Sequence, residues 1–315
     1  MTKSIPALTI AATLGAFVLS ATQGNAAATR TWVSGKGTDS GTCTLASPCR
    51  TFTFALTQTA AGGEIDVLDP AGYGSVTITQ SISIVNDGVG EAGVQAGAGA
   101  NAITINAGAT DVIYLRGLIV DGAHVAQSGI MLNTGGSVTI ANCTVRNFSQ
   151  NGIFIGPPGT TIFSITKTSV SDNGFYGIIV RPQGTGTAKG VIDEVVANNN
   201  HITGIIDGTG TTGSMIQTTI VDSIASNNLV HGMIAYSTAN HSTSNVSIRN
   251  STASSNGTSG FEVYGNANLW HGHSTASGNS NGLMNFNATA YSYGDNNLLA
   301  NTVEVNGTVT PVSTR

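Results

Sequence analysis

Charge is scarce in this sequence. Eleven basic and 16 acidic side chains are spread over 315 residues, for a net charge of −5. No basic patch is visible, which argues against a nucleic-acid partner, because phosphate binding needs clustered Lys and Arg. Aromatics make up only 6% of the chain, with Trp at two positions, so the 40% of hydrophobic residues must build a core from Ile, Val, Ala and Leu. Low charge combined with ample hydrophobicity excludes an intrinsically disordered chain. Beyond residue 28 no apolar run approaches the roughly 20 residues needed to span a bilayer, so membrane insertion is not expected. Gly and Asn are abundant instead, at 41 and 28 residues. That composition suits a turn-rich all-β protein with a narrow aliphatic interior.

The N-terminus reads as an address. Lys3 precedes a short apolar run from Ile5 to Leu19, and small residues follow up to Ala28. This is the pattern of a secretory signal peptide, assigned to residues 1–26, with cleavage after Ala26 or Ala28. The expected destination is periplasmic or extracellular. In that oxidising space Cys43 and Cys49 are expected to pair, and closing so small a loop would contribute about 2 kcal/mol. Zinc binding there would require further Cys or His ligands, and the loop has none. Cys143 lies in an apolar strand and is expected to be a buried, inert thiol.

The second half is periodic. Gly129, Gly152, Gly177, Gly204, Gly232, Gly260 and Gly282 are each followed by an apolar residue. Upstream of them runs a column of Asn147, Asn173, Asn199, Asn228, Asn256, Asn279 and Asn301, spaced by 22 to 29 residues. Such a period, filled with short β-branched runs such as Ser137–Ile140, accommodates three strands and three bends, one coil of a solenoid. Coils stack at the strand spacing of about 4.8 Å, so equal positions lie on top of one another. A column of Asn then becomes a hydrogen-bonded ladder. The Asn-x-Ser/Thr triplets at Asn245, Asn250, Asn256, Asn287 and Asn306 are read as part of it rather than as glycosylation sites.

These repeats, from about 102 to 301, resemble the right-handed parallel β-helix proteins of the pectin-lyase-like superfamily. The segment before them strengthens the likeness: Pro48–Phe52 leads into Ala55–Gly63, then Glu64–Leu68, Gly72–Gly74 and Val76–Ile78. The resemblance implies an all-β right-handed parallel β-helix solenoid of about ten coils over residues 64–315. Residues 27–63 would supply a disulfide loop and a short N-terminal capping helix over 51–61, blocking an open sheet edge.

Alternation places the residue two after each repeat Gly outward. That column reads Met131, Phe154, Ile179, Ile206, Ile234, Glu262 and Met284, and the residue four after Gly is Arg181, Tyr236, Tyr264 or Phe286 on four of the coils. An apolar stripe of this kind is covered by the following loops, lines a ligand groove, or mediates self-association. As a groove it would face saccharide, with Arg181, Tyr236, Tyr264 and Phe286 as ligand-binding residues, since flat amphipathic rings suit sugars.

Catalytic motifs of the superfamily are missing. The sequence has no Asp-Asp pair, no Asp-Pro-His-Asp and no esterase Gly-x-x-Asp-Phe-x-x-Gly, and Trp270-His271-Gly272-His273 only echoes a Gly-His-Gly. Glycoside hydrolysis normally requires two facing carboxyls. Aligning the second strands puts Asp193 beside Asp222 with Arg249, and Lys167 beside Glu194. These four, Asp193, Asp222, Lys167 and Arg249, are either a lyase-like catalytic group or a surface ion-pair ladder. His271 and His273, expected on one strand face, lack a third metal ligand, so neither metal nor cofactor is expected. The expectation is an exported, non-catalytic β-helix module that contacts polysaccharide or a cell surface. The alternatives are a polysaccharide lyase or glycoside hydrolase, and a structural, self-associating surface protein.

Overall fold

The computed structural model describes residues 27–208, 213–238, 241 and 243–313; the signal-peptide assignment lies outside the described residues. The chain winds into a parallel β-helix whose coils each visit three sheets in turn. One sheet has twelve strands and another ten, while the third, short sheet is built of six- and three-stranded sections. In one coil Ile153–Ile155 belongs to the ten-stranded sheet, Thr160–Thr166 to the twelve-stranded sheet and Ser169–Ser171 to the short sheet. The strand pairs between coils are parallel and run in register, as Ile130↔Ile153↔Ile178↔Ile205 illustrates, with local shifts at Ala28–Arg30 and Leu132–Thr134. Because each coil buries only its inner side, no coil can form a core alone, and stacking supplies the stability.

Inward positions repeat chemically from coil to coil. Leu115, Ile140, Ile165, Ile192, Ile220 and Ile248 form one column of the twelve-stranded sheet, all buried. Burying each such side chain is worth about 1.5–3 kcal/mol. The aliphatic run of this column gives way to His271, which is 1% exposed and stacks on Phe261 with ring centroids 6.0 Å apart. His273 is the left-handed bend residue after that strand, with φ of 50°, exposed and 3.0 Å from Asp295. The two histidines therefore do not share a strand face: the bend at His273 turns its side chain away from the core.

The Asn ladder exists, one residue out of the expected register at two places. Its rungs are Asn173, Asn200, Asn228, Asn256, Asn279 and Asn301. Each Oδ1 accepts from both the backbone N–H and the side-chain Nδ2 of the preceding rung, at 2.8–3.3 Å. From Asn200 onward, each Nδ2 also donates to a carbonyl of the preceding coil, as Asn228 does to Ala197 at 3.0 Å. Asn147 and Asn199 precede this column. They hold the left-handed bend, with φ of 61° and 57°, a conformation Asn tolerates better than most residues. Phe148 takes the rung position in the first of these coils, where only its backbone N–H reaches Asn173. Of the five triplet asparagines Asn256 alone is a rung. Asn250 and Asn287 are left-handed bend residues, while Asn245 and Asn306 bond other side chains.

The ladder explains the glycine column. A Cβ on Gly204 would sit 2.8 Å from Asn228 Nδ2, and one on Gly232 would sit 2.9 Å from Asn256 Nδ2. A second ladder of hydroxyls runs along the opposite corner, where Ser251 Oγ accepts from Ser223 N and Ser274 Oγ from Ser251 N.

At the N-terminal end, helix α1 (Phe52–Gln58) buries Phe52, Ala55 and Leu56 against the core. It starts where the Thr51 hydroxyl accepts from Phe54 N, an N-cap. It ends earlier than the expected residue 61, because Thr59 turns inward to bond Thr31 and begins a strand over Thr59–Val67. Cys43 and Cys49 form a disulfide with Cα atoms 4.8 Å apart, beside this cap. Cys143 is buried, and burial pushes its thiol up to about 11.

Candidate functional site

The outer face of the ten-stranded sheet carries a cleft that the sequence analysis anticipated in part. Met131, Phe154, Ile179, Ile206, Ile234, Glu262 and Met284 are strand neighbours in that order. Ile179, Ile206 and Ile234 are buried and pack with Phe154, Tyr176 and Tyr236, so this part of the stripe is a cleft floor rather than an open patch. The cleft encloses about 480 Å³, and Arg181, Gly208, Tyr236, Tyr264, His231 and Glu262 are among its lining residues.

The position four after the repeat Gly decides the shape. Tyr236, Tyr264 and Phe286 stack on consecutive coils, with centroids 5.0 Å apart at both steps and interplanar angles of 20° and 4°. The rings stack on one another as equal positions of successive coils are expected to, so their inner faces are used within the stack. The stack stops at Tyr236, because Gly208 pairs with it on the next coil and has no side chain. Val180 pairs with Asp207, so Arg181 precedes Gly208 in this column. The outcome is a slot over Gly208, closed by Tyr236 on one side and bordered by Arg181 two coils away. Two strand spacings give about 9.5 Å. One flat ring in van der Waals contact with both walls needs about 7–8 Å. The slot is one ring high.

The residues just before the repeat glycines were missed by the sequence reading. Tyr176, Thr203, His231 and Ser259 form another outward column. His231 Nδ1 lies 2.8 Å from Glu262 Oε2 and 2.7 Å from Ser259 Oγ, and Ser259 Oγ donates to the same carboxylate at 2.8 Å. Glu262 is only 6% exposed although it points to the outer face. A carboxylate on Nδ1 orients the ring and leaves Nε2 as the nitrogen with an open side. Ser259 shares the Nδ1 side, whereas a nucleophilic serine must sit on the nitrogen opposite the acid, so this group is not a hydrolase triad. The signal available in the sequence was one His, one Ser and one Glu in phase with the Gly column.

The four residues proposed for catalysis do not assemble. Asp193 pairs with Val221, which pairs with Arg249, so Asp222 is not stacked beside Asp193. Asp222 falls instead in the left-handed corner column with Asn142, Lys167, Glu194 and Asn250, where φ is near 50° throughout. Lys167 and Glu194 lie 3.7 Å apart with both side chains more than half exposed, an arrangement that contributes little. Arg249 lies over the Tyr293 ring at 5.4 Å. Among the described residues, no cluster of three or more His, Cys, Asp or Glu side chains could hold a metal ion. No helix there is long and apolar enough to cross a membrane.

The family described as right handed beta helix region matches residues 128–303, more than half of the chain. The chain belongs to the right-handed β-helix family. No curated protein matches this β-helix chain. Among solved structures, the alginate lyase from Paenibacillus sp. str. FPU-7 aligns with a TM-score of 0.66 and 18% identity, over 90% of this chain and all of that one. Pectate lyase Pel9A aligns with a TM-score of 0.52 and 15% identity, over 90% of this chain and 77% of that one. At these identities the likeness is one of fold, and function rests on the site.

Proposed function

We infer that this β-helix protein binds an acidic polysaccharide on its ten-stranded sheet, one uronate ring entering the slot over Gly208. The observation that carries this reading is the slot itself: one ring high, walled by an aromatic face, floored by aliphatic side chains and bordered by the Arg181 cation. A pyranose offers an apolar face to Tyr236, and its carboxylate offers a charge to Arg181. The fold neighbours are enzymes for alginate and pectate, both polyuronates, which is consistent with that ligand class. Export to a periplasmic or extracellular space would bring the protein to such polymers.

Gly208→Tyr tests the reading. Among the described residues, the three atoms nearest a Cβ at Gly208 are Ile206 and Tyr236 side-chain atoms at 3.6–3.8 Å, ordinary contacts, and its φ is not left-handed. The variant should therefore fold normally while extending the ring stack into the slot. We expect alginate or polygalacturonate binding, measured by calorimetry, to weaken at least about tenfold, the equivalent of 1.4 kcal/mol. Unchanged binding by folded Gly208→Tyr sinks the proposal.

His231 supports a second reading. Its Nδ1 is fixed by Glu262, so Nε2 could act as the base that removes a proton beside the uronate carboxylate while a cleft tyrosine protonates the leaving oxygen. The same incubations, followed by the ultraviolet absorbance of unsaturated ends, decide it. Product lost in His231→Ala identifies a lyase. Product retained in that variant directs mutation to Asp193, Asp222, Lys167 and Arg249, and its absence from the wild type leaves a binding protein.

A further inference from the structure

Two aromatic stacks outside the core lie on two faces of the same final coils. Tyr264 and Phe286 stack on the ten-stranded sheet, and Trp270 and Tyr291 stack on the twelve-stranded sheet, at 5.3 Å and 13°. Five residues separate Tyr264 from Trp270 along the chain. The bend between the two sheets varies along the solenoid. It spans six residues after Val180, Gly208 and Ser237. It shrinks to Asn266 alone, and then to Asn287 and Ala288, on the final coils. A surface depression of about 510 Å³ occupies that shortened bend, lined by Tyr264, Gly265, Asn266, Phe286 and Asn287.

Beyond the bend, Trp270 has one ring face on Tyr291 and pairs on its other side with Ser247, whose side chain is too small to cover an indole. Asn245 and Arg249 flank Ser247 on the same outer face, and Arg249 is held over Tyr293 because Gly272 leaves that space open. An indole face, a paired amide at Asn245 and Asn268, and a cation thus frame one ring-sized patch. This is the chemistry of the Gly208 slot repeated on a second sheet.

We propose that a long acidic polysaccharide does not end in the cleft but crosses the shortened bend and seats a further uronate ring on Trp270, beside Arg249. The polymer then runs across the coils, around the edge of the helix, instead of along the sheet. This rests on the binding reading above, and the test separates the two.

The test compares polygalacturonate with a trisaccharide of galacturonate on the wild type, Trp270→Ala, Trp270→Phe and Gly208→Tyr. Trp270→Ala should weaken polymer binding about three- to tenfold and leave the trisaccharide unchanged, with Trp270→Phe restoring most of the loss. Trp32→Phe leaves Trp270 as the only indole, and its emission should respond to the polymer and not to the trisaccharide. Polymer affinity unaltered in Trp270→Ala, or Trp270 emission indifferent to the polymer, overturns the crossing. If Gly208→Tyr binds normally while Trp270→Ala does not, the cleft reading fails and the Trp270 patch stands alone. If the wild type binds neither ligand, both fall.

Discussion

Truncating a single rung should measure what the Asn ladder contributes. In Asn228→Ala, Asn200 loses the acceptor for its backbone N–H at 3.0 Å and for its Nδ2 at 3.1 Å. The carbonyl of Ala197 and Oδ1 of Asn256 each lose a donor at 3.0 Å. Asn200 Nδ2 keeps its bond to Val170, and Asn256 Oδ1 keeps the bond from residue 228 N, so the damage is partial. The site is buried, and water cannot readily replace the missing amide. At about 1 kcal/mol per net hydrogen bond, and 1–3 for a buried group left unpaired, the expected loss is about 3–5 kcal/mol. That is a large share of the 5–15 kcal/mol typical of a folded protein. Asn227→Ala is the control: its side chain is exposed and its φ of 57° costs Ala no more than about 1 kcal/mol over Asn. Urea unfolding followed by far-ultraviolet circular dichroism gives both values, and hydrogen exchange at Asn200 N reports locally. If the two variants lose similar stability, the ladder is not what ties successive coils together.

Acid should loosen the last coils first. Burial lowers the His271 pKa, opposed by Asn296 and Asp295, so the fold prefers the neutral ring. The unfolded chain therefore binds the extra proton first as pH falls below about 6.5, and stability declines from there down to the folded pKa, by at most about 1.4 kcal/mol per pH unit. His271→Phe should remove that part of the slope between pH 6.5 and 4.5, and an unaltered slope refutes the assignment. Cys143 should resist alkylation in the native protein at pH 8 and react on unfolding, since burial pushes its thiol up to about 11. Rapid native labelling would show that the coils open around it.

The winding itself was legible in the sequence, because a solenoid copies one local pattern many times. Gly followed by an apolar residue, then strict alternation, survives a change of loop length, so the column from Met131 to Met284 was read correctly residue by residue. The Cys43–Cys49 pairing and the buried Cys143 followed from local signals as well, whereas the cap came from the family resemblance. Register at corners was less legible. Asn199 and Asn200 are chemically identical, and only the fold decides which one holds the left-handed bend and which one turns inward. A one-residue slip at the opposite corner, after the twelve-stranded sheet, sets Asp222 beside Asp193 in the sequence reading, while strand pairing places Val221 there.

The sequence alone determined a low-charge, aliphatic β-helix and the outward column of Arg181, Tyr236, Tyr264 and Phe286. Only the tertiary structure decided how that column works. Stacking at 5.0 Å turns the rings against one another, so their faces are spent inside the stack and the missing side chain at Gly208 becomes the opening. It also decided that His231, Ser259 and Glu262, from two neighbouring coils, meet within 2.8 Å. Periodicity fixes which residues share a column. It does not fix which columns touch, because that depends on bend lengths and side-chain directions that arise only when the coils close on each other.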